Sequence, residues 1–114
     1  MFDLTAKNRE VGDVRFSWLI WREIIEHTGA GYVLGCGFFD DDPGKYIYDV
    51  LQDNCGSPMS NDGYGVTEFE AKCMAACCAG YVRVRRAIKG DDAILQEIER
   101  FASFAAGSGG FTIN

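Results

Sequence analysis

The run Thr67-Glu68-Phe69-Glu70 constrains this chain more than any other stretch. A Thr three residues ahead of a Glu forms a capping box: the hydroxyl accepts from the Glu amide, and the carboxylate reaches back to the Thr amide. The helix opened there runs to Gly90, which ends it. Phe69, Cys73, Ala76, Cys77, Gly80, Val84 and Ile88 fall on one side of it, which is therefore the expected packing face. Small residues dominate its middle (Ala71, Ala75, Ala76, Ala79, Gly80), so another element can approach its backbone closely. Arg83, Arg85, Arg86 and Lys89 crowd its last turns, where cations complement the helix dipole.

Two more helices flank this one. Ser17 is an N-cap ahead of Trp18, Trp21, Ile24, Ile25 and Thr28 at helical spacing, and Gly29 and Gly31 stop that helix. Asp91 caps the other, with Asp92 in its first turn. Ile94, Leu95, Ile98, Phe101, Ala102 and Ala105 form its stripe, and Gly107-Ser108-Gly109-Gly110 ends it. Residues 32–39 suggest a strand or an irregular buried segment, Asp40 to Gly44 a turn, Tyr46 to Leu51 a strand or short helix, and Asn54 to Gly65 a loop. Phe111-Thr112-Ile113 reads as a final short strand docked on the core. The polar N-terminus reads as a tail ending in a short strand. The expectation is one α+β domain over 1–114: three helices at about 17–28, 67–89 and 92–106 on a small antiparallel sheet, with 1–12 a flexible tail or edge segment.

Charge and cysteine usage narrow the function classes. Seventeen acidic against eleven basic residues give a net charge of −6. Such a surface repels phosphate backbones, which argues against nucleic acid and in favour of a basic protein partner. No apolar run approaches the roughly 20 residues a membrane helix needs. The five cysteines are odd in number, and Cys77 and Cys78 are adjacent, a poor disulfide framework. Reduced thiols and a cytoplasmic setting are expected.

Ser17-x-x-x-Trp21-x-x-Ile24-Ile25, then Gly31-Tyr32 and Gly35-Cys36, resembles the opening of a diffuse set of small bacterial and phage proteins. Asn61-Asp62-Gly63-Tyr64-Gly65-Val66-Thr67-x-x-x-Ala71 is similar to their helix entry. Phe101-x-x-Phe104 followed by Gly109-Gly110-Phe111-Thr112-Ile113 resembles their close. Tyr32, Cys36 and Tyr64 depart from that pattern, where Trp, Thr and Gln are usual. The set has no assigned activity, so the resemblance implies a mobile-element or accessory gene and transfers no catalytic residue.

The candidate sites each have a plainer structural explanation. Cys73 and Cys77, four apart, have the spacing for two thiolates on one metal ion, with Cys78, Cys36, Cys55 or His27 to complete the set. Small cysteines in an Ala/Gly-rich packing face explain them without a metal. His27 can act as base for Cys36 or Cys55, with Gly35 and Gly37 as oxyanion donors, or can simply sit as a cation in a last helical turn. Asp40, Asp41 and Asp42 are a solvated acidic turn and the candidate contact for a basic partner, because consecutive side chains do not converge on one ion. Arg83 and Arg86 are an anion site or a helix cap paired with local acids.

The sequence thus supports a non-enzymatic accessory protein that binds another macromolecule through its surface, with no cofactor. A small thiol- or metal-dependent enzyme using cysteine and His27, and an oligomerisation module built on the small-residue face of the long helix, are the alternatives. Thr67→Ala is expected to cost about 1 kcal/mol in denaturant unfolding. A change below a few tenths would place the helix start elsewhere.

Overall fold

The computed structural model describes residues 1–34, 37–39, 42–47, 58–59 and 62–114. A four-stranded antiparallel sheet, β1 (Phe2–Ala6), β2 (Asp13–Phe16), β5 (Tyr64–Val66) and β6 (Phe111–Ile113), runs in the order β2-β1-β6-β5. Four helices accompany it: α1 (Trp18–His27), the short α2 (Ala30–Val33), α3 (Glu68–Lys89) and α4 (Ala93–Gly107). A separate antiparallel pair, β3 (Gly37–Phe39) with β4 (Asp42–Ile47), matches Gly37 to Ile47 and Phe38 to Tyr46, then shifts register to pair Phe39 with Asp42. The class is α+β, as the sequence indicates, with one more helix than expected.

The N-terminal segment is a correction. Residues 1–12 are not a tail, because β1 is an interior strand, pairing Leu4 with Val14 on one side and with Ile113 on the other. The signal lies in its alternation: Phe2, Leu4 and Ala6 are buried, while Asp3 and Thr5 point to the other face. A five-residue strand needs few apolar side chains when every second one enters a core. The apolar face continues through Phe16, Tyr64, Val66, Phe111 and Ile113. The polar face carries the Arg15–Asp3 ion pair.

Three connecting segments also differ from expectation. Of residues 32–39, expected as a strand or irregular buried segment, Gly37–Phe39 do form β3, but Tyr32 and Val33 belong to α2: Gly29 turns left-handed at φ +86° and the chain re-enters helix at once. Gly31 is obligatory there, because a Cβ would lie 2.3 Å from the Ile25 carbonyl oxygen. Tyr64 and Gly65 belong to β5 rather than to a loop, since β6 offers them an edge to pair with. Pro43 and Gly44 lie inside β4, within the span opposite the register shift, rather than in a turn. A two-stranded pair has a free edge, the setting in which a strand accepts Pro.

The helix ends follow the local chemistry closely. Thr67 Oγ1 accepts from the Glu70 amide at 3.1 Å, and Glu70 Oε1 accepts from the Thr67 amide at 3.0 Å. Asp92, not Asp91, caps α4, accepting from the Leu95 amide at 2.8 Å. Ser17 caps α1 through the Ile20 amide.

The α3 packing face is the largest correction. Ala71, Met74, Ala75, Cys78 and Val82 face the core. The expected stripe points the other way: Phe69 is 76% exposed, Val84 56% and Ile88 68%. The helix carries two apolar stripes on roughly opposite sides, and the one through Ala71, Met74, Ala75, Cys78 and Val82 is buried. Ala75, Ala79 and Val82 line a groove with Ala102 and Ala106 of α4, so small side chains lie between the two helices.

Trp21 is fully buried, with its indole N–H donating to the Pro58 carbonyl at 2.7 Å. Trp18, three residues earlier, is 52% exposed and stacks on Phe2 at 5.6 Å. Trp21→Ala should cost about 3–5 kcal/mol and Trp18→Ala well under half of that. Trp21→Phe, which keeps an aromatic side chain but loses both the donor and part of the indole volume, should cost about 1–3 kcal/mol. Equal losses at 18 and 21 in chemical denaturation would contradict this packing.

Candidate functional site

The outward side of α3 is the most unusual surface among the described residues. Along its 22 residues, Phe69, Ala76, Gly80, Val84, Ala87 and Ile88 are exposed, with Cys73 and Cys77 half-buried beside them. A surface helix normally turns charged residues to water. Here charge is confined to the margins and the ends. Lys72 pairs with Glu68 at 3.1 Å, both exposed. Glu68 and Glu70 occupy the first turn, and Arg83, Arg85, Arg86 and Lys89 the last two.

Local chemistry explains why α3 is held in this orientation. The capping box fixes its start directly after β5. On the inner side, the Cys78 thiol donates to Thr28 Oγ1 at 3.5 Å. The Thr28 hydroxyl donates to the Ile24 carbonyl at 2.6 Å and accepts from the Ala30 amide at 3.1 Å. One threonine thus joins α1, α2 and α3. Burial pushes the Cys78 thiol up to about 12, partly opposed by the Thr28 hydrogen bond, so Cys78 stays a neutral thiol and is a poor nucleophile.

A groove of about 530 Å³ separates α3 from α4. Ala75, Ala79, Val82, Ala102 and Ala106 floor it, with Ser103 at the side and Arg83, Arg86 and Glu99 at one end. Arg86 donates to Glu99 through Nη1 at 2.6 Å and Nη2 at 3.2 Å, and to Asp91 through Nε at 2.8 Å. These bonds raise the Arg86 pKa further above its ordinary range. Glu99 is lowered by Arg86, and Asp91 first by the Gln96 hydrogen bond and then by Arg86. Arg86 is therefore a clamp between α3 and the start of α4. Arg83, beside it, has no ion-pair partner among the described residues.

The remaining sequence candidates do not converge with these. Cys73, Cys77 and Cys78 are free thiols: Cys78 is buried, Cys77 is half-buried and packs against the core, and Cys73 is half-buried. Among the described residues, no group of three or more His, Cys, Asp or Glu side chains is placed to hold a metal. His27 is exposed at the end of α1, with Nε2 3.8 Å from Glu26 and 4.0 Å from Glu23. Cys36, Cys55, Asp40 and Asp41 lie outside the described residues, and Asp42 opens β4. Among the described residues, no helix is long and apolar enough to cross a membrane.

What sequence reasoning missed was the orientation of α3. Two features pointed to it: Met74 and Val82 continue a second stripe through Ala71, Ala75 and Cys78, and Arg86 stands next to that stripe, where α4 supplies acids.

Glu99 and Asp91 have folded-state pKa values below their unfolded ones. Their contribution is complete above the ordinary carboxylate range and is lost as pH falls through the lowered values. Arg86→Met should lower the melting temperature at neutral pH and shrink the loss on acidification toward pH ~3. An unchanged acid limb in thermal unfolding would remove the clamp from the account.

Comparison with known protein families, characterised proteins and solved structures finds no match to this chain.

Proposed function

We propose that this protein is a non-enzymatic accessory factor that binds another macromolecule, and that it docks through the outward face of α3. One observation carries the reading: Phe69, Val84 and Ile88 stand exposed along a single side of a capped 22-residue helix, with small residues between them. Contiguous apolar surface of this kind marks an interaction site in a folded chain. An amphipathic helix presenting anchors at three- and four-residue spacing is a familiar docking element.

The charge balance supports a protein partner over nucleic acid, since a net charge of −6 opposes a phosphate backbone. Free thiols at Cys73, Cys77 and Cys78 support a reducing, cytoplasmic setting. The motif resemblance supports a mobile-element origin. The acidic stretch Asp40, Asp41 and Asp42 is an accessory contact in this reading, acting on association rate toward a basic partner.

Val84→Glu tests the docking face. Val84 is more than half exposed and Glu is a good helix former, so stability should change by less than about 0.5 kcal/mol. Affinity capture from the native host should lose its bound species with Val84→Glu and keep it with Val84→Ile. Identical capture by all three proteins would move the binding surface away from α3.

A further inference from the structure

We infer that Arg100 guards the open edge of the four-stranded sheet, so that a second copy of this chain does not add its own edge strand there. The inference is independent of the α3 face. It starts from β2, which has one neighbour among the described residues and therefore one unpaired side.

The register says which groups face that side. Asp3 and Asn114 exchange both backbone hydrogen bonds, at 3.0 and 2.8 Å, so the Asp3 N–H and C=O point to β6. Arg15 stands opposite Asp3, and Asp13 opposite Thr5. Bonded pairs alternate in an antiparallel ladder, so Phe2 with Phe16 and Leu4 with Val14 carry the β1–β2 bonds. The N–H and C=O groups of Asp13 and Arg15 then face outward, away from β1. A row of this kind is a template for a further strand, and each copy of the chain brings one.

One side chain closes the row. Arg100 Nη2 donates to the Arg15 carbonyl at 2.9 Å, although the two residues are 85 apart in sequence. Glu97, one turn earlier on α4, holds the guanidinium there, accepting from Nη2 at 2.7 Å and from Nε at 3.0 Å. The guanidinium carbon lies 4.2 Å from the centre of the Phe16 ring. Phe16 in turn meets Phe101 edge-on, which fixes the α4 backbone beside β2. An incoming strand needs the Arg15 carbonyl for its own amide and the space the guanidinium fills. It would have to break a charge-assisted hydrogen bond and lay its backbone against a cation. An ion pair on a helix surface has no need of that carbonyl and contributes little by itself. The placement of the third bond, on the sheet edge, is what a guard accounts for.

Arg100→Met removes the cation and the carbonyl bond and keeps an unbranched side chain over Phe16, so it should stay folded by circular dichroism. In sedimentation velocity over a concentration series it should self-associate at about tenfold lower concentration than the parent chain, the factor that one charge-assisted hydrogen bond carries. By amide hydrogen exchange the Arg15 N–H should exchange quickly in the parent and slowly in the associated variant. Adding Arg15→Pro to Arg100→Met should restore the parent behaviour, because it deletes an outward N–H and leaves the β1–β2 bonds intact. A merely structural Arg100 would lower the melting temperature on substitution without causing association. Equal sedimentation of the parent and Arg100→Met overturns the inference. So does association that Arg15→Pro leaves unchanged, or that leaves the Arg15 amide in fast exchange. Should Arg100→Met not fold, Glu97→Gln carries the test, since it loosens the guanidinium and leaves Arg100 in place. Stronger association than the parent then supports the guard, and sedimentation identical to the parent overturns it.

Discussion

The fold depends on the ring of Phe101. It meets Trp21 edge-on at 5.4 Å, and Phe16 and Phe111 edge-on at 5.9 Å each. Those partners belong to α1, β2 and β6, so one α4 side chain ties two helices to two strands of the sheet. Phe104, one turn on, adds a second contact to Phe111 at 5.5 Å. Edge-to-face pairs of this kind contribute roughly 0.5–1.5 kcal/mol each beyond the area they bury. They are also directional, and so they set the angle between α4 and the sheet. With α4 held on the sheet, the position of α3 is decided by how closely it can approach α4.

Backbone geometry enforces that approach at one point. Gly110, at φ +100°, lies where a Cβ would stand 2.7 Å from the Val66 carbonyl and 3.1 Å from the Glu68 amide. The close of the chain thus passes directly beside the β5–α3 entry, and the capping box is held against β6. Ser108 supports the passage, donating to the Ala105 carbonyl and accepting from the Gly110 amide. In this geometry Ala71, Met74, Ala75, Cys78 and Val82 are the α3 residues that meet the core. The stripe through Phe69, Val84 and Ile88 is left outside. Small residues on both helices, Ala75 and Ala79 on α3 with Ala102 and Ala106 on α4, let the two approach, while the larger Met74 on the buried side of α3 fills the core.

What could be read in advance was whatever local chemistry decides. Thr67, Ser17 and the glycine stops locate three helices to within a residue or two, because a cap is a contact between near neighbours in sequence. The burial of Trp21, Ile24 and Ile25 was legible from spacing, as was the docking of Phe111–Ile113. The unread parts are decided by distant partners. β1 becomes central because β6, more than a hundred residues later, supplies its second edge. The four residues of α2 depend on a carbonyl of α1 that only a glycine can approach. The orientation of α3 was misread because both of its stripes satisfy the helical period, and periodicity cannot say which one meets α4. The candidate surface was therefore visible residue by residue, but its sign, inward or outward, was not.

The two sides of α3 also divide the thiols. Cys78 is sealed by burial and bound to Thr28, and its raised pKa keeps it neutral at physiological pH. Cys73 and Cys77 are half-buried, Cys77 packing against the core, so they border the side on which Phe69 and Val84 are exposed. A pair of small, soft, weakly polar groups there allows close contact without the desolvation cost of a hydroxyl or a charge. The same reasoning accounts for Ala76 and Gly80 between them. Lys and Glu, frequent on exposed helix surfaces, would each lose hydration on being covered. Their absence from the middle of this face lowers the cost of covering it, which is what the proposed docking requires.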